Sequence, residues 1–151
     1  MEKTKFKMTR GTALIIIIFM AVLLAAAVII RAAPGGAQGG FQSLINASTL
    51  SGREKYLKNL GWEIDASTEE SQEVLIPAEF NEVMTEYNKL QKQQGFDLSA
   101  YAGESCTRYT YAVTNYPEGG NVLACIYIKG RSVIAGDIHS AGMNGFMHTL
   151  V

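Results

Sequence analysis

The chain has 151 residues, 48% of them hydrophobic, and a formal net charge of −1. That length holds one domain plus a tail. Beyond residue 40 eight Lys/Arg stand against thirteen Asp/Glu, a net of −5, which excludes nucleic acid as a partner and gives no reason for adhesion to anionic headgroups.

The N-terminus is a basic tail over 1–11, where Lys3, Lys5, Lys7 and Arg10 against Glu2 give +3. Thr12 to Ile30, "TALIIIIFMAVLLAAAVII", follows as nineteen residues without a charge. As a helix it spans about 28 Å, close to the hydrocarbon thickness of a bilayer. The sequence therefore predicts a transmembrane helix over 12–31. Positive flanks stay inside, which puts the N-terminus in the cytoplasm and the remainder outside the cell membrane. A cleaved secretory signal is the rival, with Ala25-Ala26-Ala27 or Ala32-Ala33 near the cut. Its apolar core normally runs about 7–15 residues, and this one is longer. Residues 32–40, "AAPGGAQGG", read as a glycine-rich spacer. The domain at 41–151 is exported on either reading.

Within it, Ser51 and Glu54 have capping-box spacing, Tyr56, Leu57 and Leu60 share a face, and Gly61 supplies a stop. "WEID" alternates like a short strand, Ala66 to Glu73 reads as a polar loop, and Val74 to Pro77 as a brief strand. From Ala78 the period is helical, with Phe80, Val83, Met84, Tyr87 and Leu90 on one stripe and Gly95 at its end. Three strands follow: one through Tyr109, Tyr111 and Val113, then "VLACIYI" after the "NYPEGGN" turn, then "SVIAGDIH" after "KGR". Together these predict an α+β fold of two layers, with helices on one face of an antiparallel sheet. A hairpin centred near Glu118 sets Cys106 opposite about residue 130, some 17 Å from Cys125, so both thiols are predicted free.

The strings "GWEID", "LIPAEFNEVMTEYNKLQKQQGFDLSAYAG", "YTYAVTNYP" and "GDIHSAGMNGFMHTL", in this order, resemble the family catalogued as domain of unknown function 4830. The resemblance covers most of Gly61 to Leu150. It implies a small exported protein of Gram-positive bacteria with an N-terminal membrane segment and one extracytoplasmic domain. It brings no activity, cofactor or catalytic residue, and gives a Cys106–Cys125 bridge no support.

Three groups of residues could carry chemistry. Glu63, Asp65, Glu69, Glu70 and Glu73 form an acidic cluster, but a calcium loop usually needs a glycine at its turn and this stretch has none, so a solvated face is predicted. Trp62, Tyr109, Tyr111, Tyr116 and Tyr127 could line a groove for cell-envelope glycan or peptide; Tyr109 and Tyr111 share a face with Val113 and read as core, which leaves Tyr116, in a turn, as the candidate binding residue. In "DIHSAGMNGFMHTL", Asp137, Ser140 and His148 have the residue types of a catalytic triad. No nucleophile-elbow pattern surrounds Ser140 and no HxxxH or CxxC accompanies the histidines. Asp137 and His139 fall on one face of a strand and could pair, or bind a metal with His148. Gly136 suggests close backbone approach or a bulge, and an Asn144-Gly145 turn would return Phe146, Met147 and Leu150 to the core.

The sequence thus predicts a membrane-anchored, extracytoplasmic, non-enzymatic binding or sensing domain with no metal and no cofactor. The alternatives are an envelope hydrolase using Ser140 and His148, or a regulatory partner of another membrane protein acting through Tyr116.

Overall fold

The computed structural model describes residues 6–7, 45–142 and 145–151. The apolar segment, the spacer and Asn144 lie outside the described residues. No helix among the described residues is long and apolar enough to cross a membrane. In chain order the elements are β1 (Phe6–Lys7), α1 (Leu50–Asn59), β2 (Ile64–Leu75), α2 (Glu82–Gln93), a 3-10 turn (Leu98–Tyr101), β3 (Ser105–Val113), β4 (Val122–Lys129), β5 (Ser132–Ser140) and β6 (Phe146–His148). The strands form one sheet of order β1-β6-β5-β4-β3-β2, and every neighbouring pair is antiparallel. The α+β class and the β3–β4–β5 meander are as the sequence predicts. The closing segment forms the strand β6.

The layering differs from the expectation. Side chains alternate along a strand, and here both sides are covered. Tyr56 and Leu57 of α1 pack with Tyr111, Val122, Ala124, Ile126, Ile128 and Ile138 on one face. Met84 of α2 packs with Val74, Cys106, Ile134 and Ala135 on the other. The helices therefore sit on opposite faces of the sheet, and the predicted two-layer arrangement becomes three layers. The register explains the buried strand β4: pairs such as Ala124↔Ile138 face α1 while Cys125↔Asp137 faces α2.

Helix α1 begins two residues earlier than the capping-box reading. Thr49, not Ser51, is the N-cap, and its hydroxyl accepts from Gly52 N at 3.2 Å. The third position after it is a glycine, so no carboxylate returns the bond. A Cβ at Gly52 would fall inside the carbonyl of Asn46, and only glycine lets the incoming chain cross so closely. Gly61 ends the helix as expected, at φ 91°. Gly61 N donates to Lys58 O and Trp62 N to Leu57 O at 2.9 and 3.0 Å, the paired bonds of a Schellman stop.

Strand β2 swallows the predicted loop at Ala66 to Glu73. Those residues are polar because β2 is the sheet's edge and only Val74 in it is buried. It also carries a large bulge: from Asp65 to Glu70 it advances five residues while β3 moves two, from Ala112 to Thr110. Asp65 Oδ1 accepts from Ser67 N and Oγ, and Thr68 Oγ1 both donates to Asp65 O and accepts from Ala112 N. The Ser67 bonds also hold the Asp65 carboxyl below its usual value.

Helix α2 starts at Glu82 behind the N-cap Asn81, whose side chain accepts from Met84 N at 2.9 Å. Phe80 and Glu79 precede it, against a predicted start at Ala78. Its buried positions are Met84 and Leu90 together with two amides, Asn88 and Gln91. Both cysteines are buried and free. The register puts Thr107 opposite Ile128 and Thr110 opposite Cys125, one position from the predicted alignment.

Candidate functional site

Parity on β5 decides the fate of the predicted triad. Asp137 pairs with Cys125 and faces α2, whereas Ser140 pairs with Val122 and Ile138 with His148, on the α1 face. The sheet thus separates Asp137 from Ser140 and His148, and no Ser-His-Asp relay is assembled. Ser140 Oγ instead accepts the N–H of Phe146 at 3.0 Å and closes the turn between β5 and β6. His148 is buried, its Nδ1 donating to Thr149 O at 2.7 Å. A shallow hollow of about 410 Å³ opens beside Ser140, lined by Asn121, Ala141, Gly142 and Gly145. None of these is an acid or a base.

Tyr116 is not the exposed turn residue that the sequence predicts. It is 9% exposed, lies between Trp62 and Phe146 with ring centroids at 6.0 and 5.0 Å, and brings its hydroxyl to 3.4 Å from His148 Nε2. The "NYP" turn folds inward because Tyr116 completes an apolar stack that also holds the C-terminus, where Trp62 Nε1 donates to Leu150 O at 2.7 Å. Met147 and Leu150 are buried and Phe146 half-buried, as the closing-segment reading expects. Tyr111 is fully buried and Tyr109 and Tyr127 are half-buried, so the described aromatic residues form no open platform. Leu50 and Val151 are the exposed large hydrophobic side chains of the described residues.

The α2 face holds a cluster of ionisable side chains around Asp137. Asp137 is 2% exposed. Its Oδ2 accepts from Tyr87 Oη of α2 at 2.6 Å, and its Oδ1 lies 2.6 Å from His139 Nδ1, the pair that their spacing on one strand predicts. The His139 side chain is 20% exposed. Burial alone would lower the His139 pKa, but the hydrogen bond and charge of Asp137 carry it above the ordinary value. Burial, then the Asp137 charge, pushes the Tyr87 hydroxyl and the Cys125 thiol up. Cys125 is therefore a thiol at neutral pH and not a nucleophilic thiolate. Burial pushes Cys106 up to about 12. Arg108 enters the same row from β3, donating from Nη2 to Gln72 Oε1 at 2.6 Å, with its buried Nε left without a partner.

A second network, on the α1 face, was hidden from the sequence reading. Arg53 is 4% exposed, and its guanidinium donates to Tyr111 Oη (2.6 Å), to the carbonyls of Ala47 and Ser48 (3.2 and 3.1 Å) and to Glu69 Oε2 (2.7 Å). It also lies 3.7 Å over the Tyr109 ring, and Tyr111 Oη donates to the same Glu69 oxygen. The β2 bulge is what swings Glu69 into reach. Burial alone would raise the Glu69 carboxyl, but Tyr111 and Arg53 hold it below the usual range. Of the acidic cluster, then, Glu69 is a structural partner and not part of a solvated face. Among the described residues no group of three or more His, Cys, Asp or Glu is placed to hold a metal ion.

These features define an antiparallel α+β domain whose buried polar side chains tie its layers together. The chain belongs to the family of domain of unknown function 4830, whose profile matches residues 56–138, more than half of the sequence. The matched span includes Tyr87, Arg108, Cys125 and Asp137, and ends before His139, Ser140 and His148. No curated protein and no solved structure matches the chain.

Proposed function

We propose that this protein is a single-pass membrane protein, N-terminus in the cytoplasm, that presents a non-enzymatic domain outside the cell membrane for binding or sensing. The nineteen uncharged residues at 12–30 behind a +3 tail support the anchor and its orientation. The observation that carries the non-enzymatic reading is the separation of Asp137 from Ser140 and His148 by the sheet. It counts against an envelope hydrolase, which needs the acid oriented on the base. A protein or cell-envelope glycan is the class of partner, and the net −5 of the exported segment argues against nucleic acid.

One observation favours a second arrangement. Phe6 and Lys7 pair with Met147 and Phe146 at the outer edge of β6. A span over 12–31 would put residues 6–7 on the cytoplasmic side and β6 on the other, so an anchored molecule leaves that edge without β1. The two arrangements exclude each other, and topology decides. Protease added to intact protoplasts is expected to digest the domain while an epitope fused to Met1 stays protected, and carbonate extraction should leave the protected fragment in the membrane. Digestion of the epitope together with the domain, or recovery of the whole chain in the soluble cytosol, would overturn the anchored reading.

A further inference from the structure

We infer that Tyr87, Asp137 and His139 form a pH-sensitive latch that holds helix α2 against strand β5. The inference does not depend on where the domain resides. Asp137 is the buried acid of the α2 face, and the bond to it from Tyr87 Oη is a direct polar link between α2 and β5. A buried carboxylate is tolerated only when its charge is met. His139 supplies the variable part of that compensation, 2.6 Å away, from a side chain that reaches water and so exchanges its proton with solvent.

The charged and titratable groups around the pair are few. Tyr87 comes from α2, Cys125 and Tyr127 from β4, and Arg108 from β3. Leu123 and Met147, the cross-strand neighbours of His139, are uncharged. Burial pushes both tyrosines and the thiol up, so they stay protonated through neutrality, and Arg108 stays charged. His139 is left to change charge near neutral pH. When it loses its proton, Asp137 keeps a buried charge with less to balance it. Lifting Tyr87 and α2 away then lets water reach the carboxylate. A histidine whose folded pKa is raised contributes stability fully present below its unfolded value, about 6.5, and lost as pH climbs through the folded value. The latch is therefore tight on the acid side and loose on the alkaline side.

The test is hydrogen exchange on the full chain at about pH 6 and about pH 8.5, on either side of the histidine range, corrected for the intrinsic pH dependence of exchange. Protection of residues 82–93 is expected to fall at the higher pH, about tenfold for each unit by which the docking of α2 raises the His139 pKa, while protection of residues 50–59 on the opposite face holds. His139→Gln should remove the difference. Tyr87→Phe should lower α2 protection at both pH values without abolishing its pH dependence, because α2 still covers the Asp137–His139 pair and the His139 midpoint stays raised. The latch is overturned if wild-type α2 protection is the same at both pH values, if α1 and α2 lose protection together, or if the pH dependence survives His139→Gln.

Discussion

Arg53→Ala is expected to be among the most damaging single substitutions in the domain, costing about 3–5 kcal/mol. The guanidinium makes hydrogen bonds to four groups and lies over the Tyr109 ring. Removing it orphans the carbonyl of buried Ala47 and takes a donor from Tyr111 Oη, while exposed Ser48 can turn its carbonyl to water. Each buried polar group so orphaned costs about 1–3 kcal/mol. Glu69 keeps a 28% exposed side chain and can turn to water, which holds the total toward the lower end. A domain of this size has about 5–15 kcal/mol in all, so the loss approaches the threshold for unfolding. Arg53→Lys should recover only part of it, because one ammonium cannot reproduce the planar fork. Urea unfolding of the full chain, with the midpoint compared at constant slope, measures both. A shift below about 1 kcal/mol for Arg53→Ala would show that the network adds no more than a solvent-exposed contact does.

Gly136→Ala carries the second large effect. A Cβ there would lie 2.5 Å from Leu150 Cδ1 and 2.8 Å from the Cys125 carbonyl oxygen. The leucine tip could turn aside, but the carbonyl belongs to the β4 backbone and cannot. The same residue is clamped by α2: Gly136 N donates to Gln91 Oε1 at 2.9 Å and its carbonyl accepts from Gln94 Nε2 at 2.6 Å. These glutamines occupy the hydrogen-bonding edge of β5 that β6 is too short to cover, and Gln94 Oε1 also accepts from Leu150 N at 2.9 Å. Overpacking of this kind costs about 1–3 kcal/mol, and any shift of β5 strains the clamp as well. Thermal unfolding should show a midpoint lower by roughly 4–8 °C per kcal/mol lost. A wild-type midpoint would mean that β4 and β5 part without resistance.

Part of this was legible in the sequence because local chemistry determined it. The Gly61 stop, the three-strand meander, the Asp137–His139 pair and the close approach at Gly136 each follow from spacing or from a missing side chain. The layering was misread although its signal is present. "VLACIYI" is apolar at every position, the pattern of a strand covered on both faces, whereas a one-sided cover would have left alternate positions polar. The stripe of α1 likewise continues back to Arg53, three residues before Tyr56 and four before Leu57, which is a buried position; its charge disguised it. The polar run Ala66 to Glu73 had no local mark of a strand. Its pairing with β3 depends on a partner some forty residues away, and its bulge on a Ser67 and Thr68 arrangement that propensity does not reveal. Tyr116 was misplaced for the same reason, since a turn signal says where the chain reverses and not which way its side chains point.

Binding or sensing without catalysis stands or falls at Ser140. Its hydroxyl accepts one backbone N–H in the structure, so Ser140→Ala should cost only about 0.5–1.5 kcal/mol and leave a folded protein. Introduced into a strain lacking the chromosomal copy, the variant is predicted to complement as the wild type does, at matched protein level. A Ser140→Ala protein that melts like wild type, reaches the same level and fails to complement would restore the hydrolase.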